Sequence, residues 1–328
     1  MAPVPLVSSL VQPNEPEPAA APRLANFVIG GTEKSGTTSV FDYLSAHPQV
    51  CASSIKETDF FRHGYTGDPA VDARRYASYF QKCNPRSPVW LEASPGYLGE
   101  AATVAPRLRA LVPDAKVLFI LRDPVERLYS SYNFHRGKLD LPASMSFDDY
   151  LEHCLDYDHQ GGRPQAGLEE WYLKVLRYGC YAEFIASFRS QLPLGQLKVM
   201  FFESLREDSQ AFMVDLSEYL GIDASFWAAF TFHKSNVTFS GRNPALHRLA
   251  MRMNALAEPL MRRYPGVKRM LVNAYKAVNQ EREGYDPMSP QARELLIQYY
   301  APSVRALEQL GTTLPPTWRY LTQRAVAK

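Results

Sequence analysis

Hydrophobic residues gather along the chain into short runs separated by stretches of helical spacing. Asn26–Gly31 (NFVIGG), Val89–Ser94 (VWLEAS), Lys116–Leu121 (KVLFIL) and Lys198–Leu205 (KVMFFESL) are apolar runs of strand length. Between them, apolar positions recur every three or four residues over Val104–Leu111, Pro124–His135, Tyr181–Leu192 and Ser209–Leu220, which predicts amphipathic helices. Another helix is predicted from Thr37, with Val40, Phe41 and Leu44 on one face and His47-Pro48 at its end. Strands alternating with helices predict an α/β fold with a mostly parallel, doubly wound sheet flanked by helices. From about Asn243 the strand runs stop and a helical pattern continues, read as a C-terminal helical extension of the same domain.

The first residues, "MAPVPLVSSLVQPNEPEPAAAPR", are rich in Pro and Ala and lack both a charged leader and a compact apolar segment. They predict a disordered arm over 1–23, not a signal peptide. A single domain over 24–320 and a short tail over 321–328 complete the division. At 328 residues and 46% hydrophobic the chain can bury one sizeable core. No window approaches the ~18 apolar residues of a membrane span. A net charge of +2 creates no bulk demand for nucleic acid.

Cys51, Cys83, Cys154 and Cys180 are scattered without a C-x-x-C pair, and the seven histidines form no H-x-x-x-H pattern, so no metal site is expected. The plain reading of the cysteines is a reducing cytoplasm, and two disulfides are the other arrangement they allow. His63 and His135 read as surface or supporting residues.

Three segments carry chemistry. In "VIGGTEKSGTTSVFDYL" (Val28–Leu44), Gly31, Gly36 and Thr38 have the spacing of a Walker A loop, but Thr37 stands where its lysine belongs. The nearby lysine is Lys34, placed to reach a bridging oxygen on a monophosphate-derived ester. The loop lies between a strand and a helix N-terminus, where free amides and the macrodipole favour anions. In "LFILRDPVERLYSSY" (Leu118–Tyr132), Arg122 leaves a strand and Ser130 follows two helical turns later. Such a pair clamps a second phosphate, unless Arg122 pairs locally with Asp123 or Glu126. In "SSIKETDFF" (Ser53–Phe61), Glu57 precedes Phe60-Phe61, so an apolar wall is expected to raise its carboxyl pKa towards general-base use, the alternative being a solvated Lys56-Glu57 turn.

Together these segments resemble the sulfotransferase superfamily that uses 3′-phosphoadenosine 5′-phosphosulfate (PAPS). The chain is most similar to the heparan-sulfate-type branch and its bacterial relatives. The family's 5′-phosphosulfate loop K-x-G-T-T matches Lys34 to Thr38, and its K-E-x-x-F-F element matches Lys56 to Phe61. Glu92 to Tyr97 follow E-x-S-P-x-Y, and Leu121 to Tyr132 follow the 3′-phosphate element. "FFESLRED" (Phe201–Asp208), "SGRNP" (Ser240–Pro244) and "LPPTW" (Leu314–Trp318) also keep the family's order.

The resemblance implies a sulfotransferase fold, a P-loop-like parallel sheet flanked by helices, and in-line sulfuryl transfer from PAPS that releases PAP and needs no metal. It implies Glu57 as base and Lys34 as leaving-group stabiliser. Ser35, Gly36, Thr37 and Thr38 would join Lys34 around the 5′-phosphosulfate, and Arg122, Ser130, Gly241 and Arg242 would hold the 3′-phosphate. Lys56, Ser94 and Tyr97 would adjoin the acceptor. The chain departs from the family in two places. Asp59 stands where some glycan sulfotransferases have a histidine, and no cysteine follows Cys180, which fits a bacterial relative in a reducing compartment.

For the acceptor, Asp140, Asp148, Asp149, Glu152, Asp156 and Asp158 after the 3′-phosphate helix disfavour a highly sulfated glycan if they border it, the alternative being a solvated helix face. A neutral saccharide, a glycolipid or a small-molecule alcohol or phenol fits better, with carbohydrate O-sulfation leading. The basic stretch Arg242–Arg269, with Leu246, Leu249, Met253, Leu256 and Leu260 at helical spacing, either packs on the core or docks on an anionic membrane. A nucleotide kinase would need the missing Walker lysine. A catalytically inert binding relative would have no reason to keep Lys34, Glu57, Arg122 and Ser130 together.

Overall fold

A computed structural model describes residues 22–138, 140–142, 144–162, 168–233 and 287–323. Five parallel strands form its sheet: β1 (Phe27–Gly31), β2 (Val50–Ala52), β3 (Val89–Ala93), β4 (Lys116–Leu121) and β5 (Leu197–Phe201), in spatial order β2-β3-β1-β4-β5. Successive side chains of a strand point to opposite faces. On one face Phe27, Ile29, Leu118 and Ile120 pack with Val40 and Leu44 of α1 (Thr37–Ala46) and with Met213 and Leu216 further along the chain. On the other, Val28, Val117, Phe119 and Leu121 join a larger core that takes in the C-terminal helix. Both faces are covered, which is why the strands read as unbroken apolar runs instead of alternating ones.

The helices follow in chain order. They are α2 (Pro69–Ala77), α3 (Ala101–Leu111), α4 (Pro124–Lys138), α5 (Phe147–His159), α6 (Glu170–Lys174), α7 (Tyr181–Gln191), α8 (Phe202–Glu207), α9 (Ser209–Leu220), α10 (Pro290–Gln309) and α11 (Arg319–Gln323). Among the described residues no helix is long and apolar enough to cross a membrane. The chain leaves β1 towards β2 on one side and leaves β4 towards β5 on the other. A crevice therefore opens between the carboxyl ends of β1 and β4, where sheets of this kind bind ligands.

The structure differs from the sequence reading at four points. The run Lys198–Leu205 is strand only as far as Phe201, and Phe202 starts α8. The three-residue edge strand β2 was not anticipated. Arg23, assigned to the arm, donates to the carbonyls of Pro85 and Ser87 and covers the Trp90 ring at 5.0 Å. Cys51 and Cys83 are joined in a disulfide, whereas Cys154 and Cys180 are free. One pair is thus bonded and one is not, which matches neither four free thiols nor two disulfides.

Candidate active site

The loop after β1 is shaped by short, specific contacts. Thr32 and Ser35, both buried, share a hydrogen bond between their hydroxyls at 2.6 Å. The Ser35 side chain thus braces the loop from within and does not face the cleft. Gly36 has φ +80°, and a Cβ there would lie 2.8 Å from Leu205 Cδ2, so backbone and space both call for glycine. Helix α1 starts at Thr37 with no side-chain cap. Its first amides stay available to an anion.

Lys34, with φ 64°, lays its ammonium 3.8 Å from the Phe134 ring centroid. Burial pushes its pKa down to about 8; Glu33 opposes the shift, and Arg122 and Lys138 add to it. Arg122, at the end of β4, donates to the Lys34 carbonyl at 3.0 Å and lies over Phe202. It does not pair locally. Asp123 caps α4 through the Val125 and Glu126 amides and accepts from Tyr320, while Glu126 pairs with Arg293 at 2.8 Å. Among the described residues Arg122 has no carboxylate ion pair. Ser130, two turns along α4, lines the same cleft as Lys34, Gly36, Thr37, Thr38 and Arg122.

That cleft, ≈ 640 Å³, also takes in Lys56, Glu57, Asp59, Arg62 and Trp171. The segment carrying Glu57 departs from expectation. Phe60 and Phe61 turn into the core among Tyr76 and Tyr97, and Glu57 has no apolar wall. Its side chain is 56% exposed and pairs with Lys56. Ser94 and Tyr97 are fully buried and bond to Glu92 beneath this loop, so neither lines the cleft as an acceptor contact; Lys56 does. The acids of α5 also face elsewhere. Asp149 caps the helix, Asp148 accepts from Ser289, and Asp158 meets Arg177 and Tyr299. Lys34, Lys56, Arg62, Arg122, Lys138 and Arg206 line the cleft instead. Gly241, Arg242 and the basic stretch after them lie outside the described residues. The described residues hold no group of three or more potential metal ligands.

Residues 24–238 match the sulfotransferase domain family. The chain belongs to that family. Sulfotransferase domains take their sulfuryl group from PAPS. Among similar proteins, the membrane-associated sulfotransferase kil1 of Dictyostelium discoideum is 36% identical over 40% of this chain and 27% of its own length. The human bifunctional heparan sulfate N-deacetylase/N-sulfotransferase 3 is 30% identical over 61% of this chain and 22% of its own. The mouse heparan sulfate glucosamine 3-O-sulfotransferase 3B1 is 26% identical over 64% of this chain and 51% of its own. The chain thus spans roughly a quarter to a half of the length of these curated relatives. A sulfotransferase structure from Alicyclobacillus acidocaldarius superposes with a TM-score of 0.62 at 24% identity, covering 90% of this chain and 99% of that one, which shows the same fold.

Two residues of this sulfotransferase domain to which the sequence assigned no role at the site now stand out. His135 is buried at the cleft wall, its Nε2 3.3 Å from Glu33 and its Nδ1 3.0 Å from Asp140. Burial disfavours the imidazolium, but the two carboxylates outweigh it and hold the His135 pKa above its ordinary value. The other is Glu92, an acid within a wholly buried strand, whose pKa burial pushes up to about 7.

Proposed function

We propose that the chain transfers a sulfuryl group from PAPS to an acceptor hydroxyl or amine on a saccharide or glycolipid. The observation that carries this reading is the composition of one cleft. It joins an uncapped helix N-terminus, a lysine and an arginine with no carboxylate partner among the described residues, and an exposed glutamate. Such a donor half suits a ligand with several negative charges, and Arg122, without a carboxylate partner among the described residues, suits the 3′-phosphate that separates PAPS from ADP.

In the transfer, the acceptor oxygen or nitrogen bonds to sulfur while the bond from sulfur to the 5′-phosphate oxygen breaks. Glu57 takes the acceptor proton and, being exposed, passes it to water. Lys34 stabilises the charge that gathers on the departing phosphate oxygen, and the α1 amides hold that phosphate in place. Glu57 is oriented by its pairing with Lys56. The names of the heparan sulfate relatives, and the Trp171 ring lining the acceptor side, support a sugar.

The test is thermal stabilisation by PAP, AMP, ADP and ATP of the wild type and of Arg122→Ala. A specific ligand at ~100 times its Kd adds about 2.7 kcal/mol. PAP alone should stabilise the wild type, and Arg122→Ala should lose the effect. Equal stabilisation by ATP would sink the reading.

A further inference from the structure

The backbone around Glu57 is unusual. Glu57 has φ 63° and Asp59 φ 47°, so two non-glycine residues, separated only by Thr58, adopt the left-handed conformation. Each costs on the order of 1 kcal/mol or more and persists only where its surroundings enforce it. Three of the contacts that hold the loop come from the end of β3 and the turn after it. The Glu57 amide donates to the Ala93 carbonyl at 2.7 Å, the Asp59 amide to Ser94 Oγ at 3.0 Å, and the Phe61 amide to the Tyr97 hydroxyl at 3.3 Å.

Those two hydroxyls have a common destination. Ser94 Oγ donates to Glu92 Oε1 at 2.5 Å, the Tyr97 hydroxyl approaches the same oxygen at 3.4 Å, and Thr58 Oγ1 reaches it from the loop itself at 2.9 Å. Glu92 is fully buried and interacts with the buried Tyr76 hydroxyl, and neither that hydroxyl nor Glu92 Oε2 has any other hydrogen-bond partner. A buried carboxyl is costly. Here one oxygen gathers three hydroxyls, each of which in turn receives a loop amide, that of Asp59, Phe61 or Phe60.

We propose that Glu92 is the positioning residue of the acceptor half: its carboxyl anchors Thr58, Ser94 and Tyr97, holds the left-handed turns at Glu57 and Asp59, and so aims the Glu57 carboxylate into the cleft. This rests on the reading of Glu57 as base. Glu92 itself is buried and touches no substrate. It can be a carboxylate or an acid in this role, because Oε1 accepts in either form. A glutamine at the position would keep the accepting oxygen and offer its amide to the Tyr76 oxygen.

The test compares Glu92→Gln with Glu92→Leu, and Thr58→Ser with Thr58→Val, the second pair guarding against a core variant that fails to fold. Three quantities are read: PAP affinity, PAP released from saturating PAPS with water as the acceptor, and amide hydrogen exchange across residues 55–61. A displaced base costs ~10²-fold in rate. The leucine variant should lose about that much and exchange faster across the loop, with PAP affinity within about twofold of wild type. Thr58→Val should move in the same direction by a smaller factor, and the glutamine and serine variants should restore both rate and protection. If exchange and rate both stay at wild-type values in Glu92→Leu and Thr58→Val, the proposal is overturned. It is overturned as well if PAP affinity falls in step with the rate, or if glutamine is as damaging as leucine. Fast exchange with an unchanged rate would uphold the anchor and remove Glu57 from the role of base.

Discussion

Lys34 offers the sharpest quantitative test of the donor site. Burial beside Phe134, with Arg122 and Lys138 close by, brings its pKa to about 8. An ordinary lysine stays at about 10.4. Bound to the 5′-phosphate of PAP, the ammonium gains an anionic partner and its pKa rises. Binding therefore takes up a proton wherever the free protein has lost one, and affinity falls as pH rises through about 8. If only the ammonium form binds tightly, apparent Kd grows as 1 + 10^(pH − 8). PAP should bind about twofold more weakly at pH 8 and about elevenfold more weakly at pH 9, close to 1.4 kcal/mol, the free energy of a tenfold change.

Isothermal titration at pH 7 to 9.5, in paired buffers of different ionisation enthalpy, reads both the affinity and the proton uptake, which should approach one per PAP at pH 9. Lys34→Arg keeps its charge throughout this range and should give a flat profile. Lys34→Met should bind weakly at every pH. The reasoning is refuted if wild-type affinity is constant to pH 9.5, or if the arginine variant follows the same curve.

Three further outcomes are expected. Glu57→Gln should slow PAP release from PAPS by ~10²-fold with PAP affinity unchanged, in line with losing a general base; near-normal turnover would remove Glu57 from that role. His135, whose folded pKa is raised, should stabilise the protein below its unfolded value of about 6.5, the benefit fading as pH rises through the folded pKa. The stability gap between wild type and His135→Gln in urea titrations should accordingly be widest near pH 6 and narrow towards pH 9, and a gap that widens with pH contradicts the assignment. Opening the Cys51–Cys83 disulfide, which spans 32 residues, should cost about 3.7 kcal/mol by loop-closure entropy. Calorimetry of Cys51→Ser/Cys83→Ser checks this, and an unchanged Tm would show that the bond contributes nothing.

How much of this was legible in the sequence depends on whether the deciding interactions are local. Strand β4 was placed residue for residue because Lys116–Leu121 is a continuous apolar run buried on both faces. Helices α7 and α9 were legible within a residue at each end from their periodicity. Strand β2 is three residues long and leaves no periodic trace. The apolar wall predicted for Glu57 failed because sequence neighbours need not face the same way: a tight turn sends Phe60 and Phe61 inward and leaves Glu57 outside. Lys34, Thr37, Thr38, Arg122 and Ser130 line one cleft as their motifs implied. Ser94 and Tyr97 instead sit underneath, bonded to Glu92 of their own motif, while the Thr58 contact to Glu92 and the Glu33 contact to His135 come from distant segments that no local pattern announces. In one dimension the acids of α5 could be an acceptor rim or a solvated helix face, and in three they are capping and surface contacts.

The strand order divides the labour of this cleft. On the proposed assignment, the loops that hold the donor grow from β1 and β4, each flanked by strands on both sides, while the loop that meets the acceptor follows β2, an edge strand, and rests on β3. Change at the centre of a sheet disturbs pairing and packing in every direction; change at its margin disturbs one neighbour. A lineage built on this plan can keep a fixed donor and exchange its acceptors by remodelling the periphery. Drift in what the enzyme sulfates then proceeds with little penalty to how it folds.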